Sequence, residues 1–188
     1  AQYPLGGPER HLSFMYHTTQ PVQYPEYAVQ DSLMISELVA VGGANGLQDP
    51  AEPGESTPWV EIYNSSSQAI DLTGYQLANT LFFPHQYTIP AGVTIAPNSY
   101  LTFYLDDDPE QRPLHASITP IRTGDTFSLH SPFGIVLDSV TYTDELESGG
   151  VFVRDITSPT AVWEVTSCTT PGAENVTTCG SYLPLIRR

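Results

Sequence analysis

Lysine is absent from this chain, and positive charge of any kind is scarce. The basic residues are Arg10, Arg112, Arg122, Arg154, Arg187 and Arg188, set against 21 acidic residues for a formal net charge of -15 over 188 residues. Without lysine there is no Schiff-base amine, no P-loop lysine and no lysine-derived isopeptide crosslink. Phosphate backbones are held by clustered cations, so nucleic acid is excluded as a partner, and anionic membrane surfaces are disfavoured for the same reason. Long apolar runs are missing too. The longest, Leu33 to Val41, is interrupted by Ser36 and Glu37 and falls far short of the roughly 20 apolar residues of a membrane span.

Cysteine is limited to Cys168 and Cys179, in a Thr/Gly/Pro-rich stretch without a nearby histidine. A zinc pair is therefore disfavoured. The expectation is a disulfide closing a short loop, worth about 3 kcal/mol on the chain-entropy estimate, and hence an oxidising, extracytoplasmic compartment. A start at Ala1-Gln2 without an apolar leader fits a mature, signal-cleaved form.

What is abundant points to short elements. Hydrophobic residues make up 40% and aromatics 11%, enough for a real core, while 17 prolines and 14 glycines favour turns over long helices. The length suits one domain with extensions. Trp59-Val60-Glu61-Ile62-Tyr63-Asn64 alternates, with Val60 and Ile62 on one strand face and Trp59, Glu61 and Tyr63 on the other. Asn64 and three serines follow as a polar turn, and Ile70, Leu72, Tyr75 and Leu77 resume the pattern around a bend at Gly74. The pattern predicts two strands of a hairpin opening an antiparallel sheet. Ser32 to Val41 is ambiguous by period but short enough for a buried strand. Gly42 to Pro58 reads as a long loop. Further strands are expected at Gln86–Ile89, Val93–Ile95, Ser99–Leu105, Thr126–Leu129, Ile135–Tyr142, Val151–Arg154 and Ala161–Val165.

Residues 1–30 differ, with frequent proline, tyrosine and glutamine. Leu12, Phe14 and Tyr16 alternate with Ser13, Met15 and His17, as in an extended arm carrying one strand. The end of the chain, residues 176–188, forms a tail in which Tyr182, Leu183, Leu185 and Ile186 precede Arg187 and Arg188.

In order along the chain, Ile35-Ser36-Glu37, Trp59-Val60-Glu61-Ile62-Tyr63-Asn64 and Asp71-Leu72-Thr73-Gly74-Tyr75-Gln76-Leu77 resemble the lamin tail domain. So do Ile89-Pro90-Ala91-Gly92, Tyr100-Leu101-Thr102-Phe103, Val136 to Tyr142, Arg154, Trp163 and Thr170-Pro171-Gly172-Ala173-Glu174-Asn175. The resemblance implies an all-β fold, an immunoglobulin-like β-sandwich over residues 31–175. Trp59, Glu61, Asn64, Asp71, Gly74, Arg154 and Trp163 would be its core signature. It further implies a non-catalytic binding or assembly module of the kind found in exported bacterial proteins as well as nuclear lamins; with no rod present, coiled-coil assembly is excluded.

No enzyme signature competes with that reading. Ser, His and Asp are present without a nucleophile elbow. His11, His17, His85, His115 and His130 show no metal spacing and are expected to be structural or at the surface. Flexible acidic loops suit calcium, which makes Asp106, Asp107 and Asp108 its weak candidates, with Glu110, Asp49, Glu52 and Glu55. Without EF-hand spacing the expectation is solvated acidic loops and no cofactor, and likewise for Asp144, Glu145 and Glu147. Glu61 and Arg154 are a candidate ion pair, against the alternative that both face solvent. Asn64-Ser65-Ser66 and Asn175-Val176-Thr177 match the glycosylation sequon, with modification not expected. The expected function is a secreted structural protein that assembles with itself into a filament or surface layer by exchange of its arms. The alternative is a monomeric extracellular glycan- or surface-binding module using exposed tyrosines.

Overall fold

The computed structural model describes residues 32–50, 52–79, 85–111, 113–121, 124–143, 150–157, 162–176 and 178. The N-terminal arm with Leu12, Phe14 and Tyr16 lies outside the described residues, as do Cys179 and the tail residues Tyr182, Leu183, Leu185 and Ile186.

Strands β1 (Leu33–Val39), β4 (Trp59–Asn64), β9 (Ser99–Tyr104), β12 (Val151–Val153) and β13 (Glu164–Thr166) form one sheet in the order β13-β12-β1-β4-β9. A second sheet has the order β11-β10-β6-β7, from β6 (Gln76–Asn79), β7 (His85–Thr88), β10 (Gly124–His130) and β11 (Val136–Thr143). Two short ribbons pair β2 (Leu47–Gln48) with β3 (Ser56–Thr57), and β5 (Ile70–Asp71) with β8 (Thr94–Ile95). Within both sheets and both ribbons the strand pairings are antiparallel. A single 3-10 turn at Pro109–Gln111 is the helical element among the described residues. This is the all-β sandwich expected from strand spacing.

The main core lies between the two sheets. Leu33, Ile35, Leu38, Val60, Ile62 and Phe103 come from the first, and Leu77, Tyr87, Phe127, Leu129 and Val140 from the second. At about 25 cal/mol per Å² of apolar surface removed from water, side chains of this size supply the dominant driving force. Alternation along β4 works as read: Val60 and Ile62 face this core, while Trp59 packs on the opposite face with Val39, Val151, Val153 and Leu47. Of the two phases open to Ser99–Leu105, the fold selects the one with Phe103 and Leu105 fully buried and Leu101 packed beside them.

Two local features depart from the expected pattern. The first is a bulge in β1: Ile35 pairs with Ile62, yet Glu37 pairs with Glu61, leaving Ser36 as the extra residue. Core positions therefore run Leu33, Ile35, then Leu38 and Ala40, a change of phase that no single period describes. The second corrects the hairpin expectation. β4 is hydrogen-bonded to β1 on one side and β9 on the other, and β5 pairs with β8 instead. Both edges of β4 being occupied, Asn64–Gln68 forms an arch between sheets. Asn64 is fully buried there; its Nδ2 donates to Gln68 O (2.8 Å) and Ala96 O (3.0 Å), and its Oδ1 accepts from Ser66 N (2.9 Å). Gly74, at φ 81°, supplies the left-handed turn that returns the chain as β6.

The Gly42–Pro58 loop is partly ordered by the β2–β3 ribbon, which lies over Trp59; Trp59 Nε1 donates to Asn45 O at 3.0 Å. A Cβ at Gly42 would fall 2.0 Å from Ser56 O, so glycine is required for that close approach.

Candidate functional site

Two buried polar clusters stand out, one on the outer face of the five-stranded sheet and one where β9 ends.

The β1 bulge places Ser36 and Glu37 together opposite Glu61, on the face away from the main core. All three are fully buried. Segment 170–175 crosses this face and supplies donors. Thr170 N donates to both oxygens of Glu37 (3.1 and 3.2 Å), and Thr170 Oγ1 lies 2.8 Å from Glu37 Oε2. Gly172 N donates to Glu61 Oε2 at 2.5 Å, Ser36 Oγ to Glu61 Oε1 at 2.9 Å, and Thr102 Oγ1 to Glu61 at 3.5 Å. Asn175 Nδ2 completes the clasp by donating to Ser36 O (2.7 Å) and Arg154 O (2.9 Å). Burial raises the carboxyl of Glu37 to about 7 against the opposing hydrogen bonds from Thr170, with Glu61 adding repulsion. Burial also raises Glu61, opposed by donors from Gly172, Ser36 and Thr102.

The candidate Glu61–Arg154 pair does not form, nor do both face solvent. Arg154 instead makes a two-pronged pair with Asp138: Nη1 reaches Oδ1 at 3.2 Å, and Nη2 contacts Oδ2. Its guanidinium lies 5.0 Å from the centre of the Trp163 ring. Asp138 Oδ2 also accepts from Ile35 N at 2.6 Å, tying β11 to β1 and closing one side of the sandwich. Pairing with Asp138 occupies both terminal nitrogens of the arginine, while Glu61 takes neutral donors, which ionise it less readily.

The second cluster contains Asp49, Asp106 and His115, whose ligand-type atoms all lie within 4.8 Å of one another. Asp49 and His115 are buried and Asp106 is nearly so at its side chain. His115 Nδ1 is 2.5 Å from Asp106 Oδ2 and 3.9 Å from Asp49 Oδ2. The expectation of solvated acidic loops is thus corrected for Asp49 and Asp106, and His115 proves to be part of an acidic cluster. Of the calcium candidates, Asp49 and Asp106 converge on it, whereas Asp107 is exposed and Asp108 accepts from Glu110 N and Gln111 Nε2, both at 2.9 Å. Backbone bonds make the convergence. Segment 113–118 is laid along β9 through Tyr104 N to Leu114 O and Ala116 N to Tyr104 O, both 2.8 Å, and Leu105 N ties to Pro58 O at 2.8 Å. The Tyr104 and His115 rings stack at 4.6 Å and 8°. Burial, then the charges of Asp49 and Asp106, raises the Tyr104 hydroxyl.

Residues 27–144, more than half of the chain, match the family model of the lamin tail domain. The chain belongs to the lamin tail domain family. No curated protein matches it. Within this lamin tail domain the signature residues carry structure. Trp59 fills the outer cluster, Glu61 and Asn64 satisfy crossing segments, Arg154 holds Asp138, and Trp163 lies beneath Arg154. Asp71 Oδ1 accepts from Thr73 N at 2.9 Å, which with the Thr73 hydroxyl lowers its carboxyl. Both sequon asparagines use Nδ2 as a donor, the atom that sugar attachment would claim. The lamin tail fold is immunoglobulin-like, typically non-catalytic, and frequent in structural and protein-interaction settings.

Cys168 is buried and is not a free thiol. Sequence reasoning missed the Asp49–His115 convergence and the Asp138–Arg154 fork. The first has no spacing signal. The second had one, since Asp138 belongs to the family stretch Val136 to Tyr142.

Proposed function

We propose that this lamin tail domain is a non-enzymatic structural subunit, secreted and self-assembling into a filament or surface layer by strand addition between neighbours. The observation that carries this reading is the exposed apolar start of the edge strand β11, ahead of the Asp138 contacts to β1. β11 has eight residues and a hydrogen-bonded neighbour, β10, on one side in the described sheet. The turn leading into it exposes Phe133 (74%), Ile135 (49%) and Val136 (56%). Unpaired strand edges are templates for a further strand, and apolar side chains at the edge add pocket contacts. The alternating arm residues Leu12, Phe14 and Tyr16 of a neighbouring copy suit that role, as do Tyr182, Leu183, Leu185 and Ile186. A disulfide between Cys168 and Cys179 is part of the reading and supports an extracytoplasmic location.

Deleting residues 1–30 is expected to abolish high-molecular-weight species in light scattering and electron microscopy. Assembly unchanged by that deletion would sink the N-terminal version, and deleting residues 176–188 applies the same trial to the tail. Lysine at both Ile135 and Val136 should disrupt assembly from the accepting side.

Glycan binding is the second reading, favoured by the neighbouring Tyr63 and Tyr100 rings, 4.7 Å apart on the outer face. Glycan-array binding by a strictly monomeric chain, lost on Tyr100→Ala, would place it first.

A further inference from the structure

We propose that Asp49, Asp106 and His115 form a binding site for a divalent transition-metal ion of the zinc class. The three side chains come from separate segments, and their ligand atoms already converge within 4.8 Å. Tetrahedral zinc, with bonds of about 2.0–2.2 Å to nitrogen and carboxylate oxygen, separates its ligands by about 3.3 Å. The His115 contacts of 2.5 Å to Asp106 and 3.9 Å to Asp49 straddle that value, so small side-chain rotations reach it. Stacking on Tyr104 fixes the plane of the imidazole, and the parallel bridge between Tyr104 and His115 fixes its backbone.

Ligand chemistry decides between ions. Calcium takes six to eight oxygens and has no use for imidazole, whereas one imidazole with two carboxylates suits zinc, cobalt or nickel. On binding, Nδ1 coordinates as the neutral imidazole's lone pair. Any hydrogen that Nδ1 shares with Asp106 must leave that nitrogen, for Nε2 or for solvent.

The experiment is titration of the chelator-stripped full chain with ZnCl2, CoCl2 and CaCl2 by calorimetry in two buffers of different ionisation enthalpy. Binding of zinc and cobalt at one ion per chain is expected, with the same stoichiometry in both buffers. At zinc about 100 times Kd the melting temperature should rise by about 5–10 °C. His115→Ala and Asp49→Asn should each weaken zinc binding at least tenfold, and His130→Ala should leave it unchanged. Should His115→Ala fail to fold, the cobalt complex of the native chain still decides: tetrahedral visible absorption and a perturbed His115 ring signal support the site. Calcium binding more tightly than zinc, zinc binding weaker than about 1 mM, or zinc binding unaffected by Asp49→Asn would overturn it.

Discussion

Glu37 makes the clasp over the outer face sensitive to pH, and the direction can be worked out from its hydrogen bonds. Thr170 has a single hydroxyl proton, yet Oγ1 lies within 2.8 Å of Glu37 Oε2 and 2.9 Å of Asn175 Oδ1. When Glu37 is ionised, that proton serves either Glu37 or Asn175, and one acceptor goes without. When Glu37 is neutral, its own O–H donates to Thr170 Oγ1 and the hydroxyl donates on to Asn175. Burial favours the neutral carboxyl and outweighs the Thr170 donors, which favour the charged form. Its carboxyl titrates at about 7 in the fold against the ordinary 4.5. The unfolded chain therefore loses this proton first as pH rises, and the native state holds more protons between those values. Stability is fully present below pH 4.5 and declines until pH 7 is passed, by about 3 kcal/mol at 1.36 kcal/mol per pH interval of one. For a chain of this size that is a fall of about 6–12 °C in melting temperature. Glu37→Gln is the test, because its amide can accept from Thr170 N and donate to Thr170 Oγ1, copying the neutral form. Calorimetric melts from pH 4.5 to 7.5 should show the variant overtaking the wild type as pH rises. A gap between the two proteins that stays constant with pH would refute the reasoning.

Other consequences follow from the same contacts. Phe103→Ala, deleting a fully buried ring between the sheets, should cost about 3–5 kcal/mol in urea unfolding. Asp138→Asn leaves the Arg154 guanidinium without its counter-charge and weakens the acceptor of Ile35 N; a loss of about 3 kcal/mol is expected, with Arg154→Met/Asp138→Leu recovering part of it in a double-mutant cycle. Asn64→Ala strands the carbonyls of Gln68 and Ala96 and the Ser66 amide, and should cost about 2–4 kcal/mol with native-state hydrogen exchange accelerated at Ser66. Asp71 and Asp155 have lowered carboxyls through their Thr73 and Thr157 partners, a shift away from the Glu37 window, which neither therefore alters.

The fold was readable wherever a strand kept one period against one core. β4 and β9 alternate over their whole length, so residue types alone divided each into two faces, although which face of β9 turns inward was left for the fold to select. β1 could not, because the Ser36 bulge reverses the phase midway. Its signal was an apolar run interrupted by two polar residues, which looks the same in a helix. The supposed hairpin failed for a different reason. A polar turn between two alternating runs says that the chain reverses, but not whether the runs pair or belong to different sheets. Here the deciding fact is the burial of Asn64, whose Nδ2 donates to carbonyls of two separate segments, at Gln68 and Ala96.

The polar clusters were illegible for a reason rooted in partnership rather than pattern. With few cations in the chain, a buried acid invites a search among the arginines, and Arg154 was the natural candidate for Glu61. A carboxylate accepts equally well from main-chain N–H groups, however, and those carry no mark in sequence. Thr170 and Gly172 reach Glu37 and Glu61 across more than a hundred residues because segment 170–175 lies over the bulge. The same holds for Asp49, Asp106 and His115. None has a spacing partner, and their meeting depends on the 113–118 segment running along β9 and on Pro58 binding Leu105. The acidic surplus thus divides into charges that remain in solvent and a few that the fold draws inward. The latter can stay only where a donor, a proton or a cation meets them. Thr170 and Gly172 supply the donors on the outer face, and Glu37 supplies the proton. At the end of β9, His115 and the Asp108 amide already meet Asp106, and a cation is the further means that zinc titration tests.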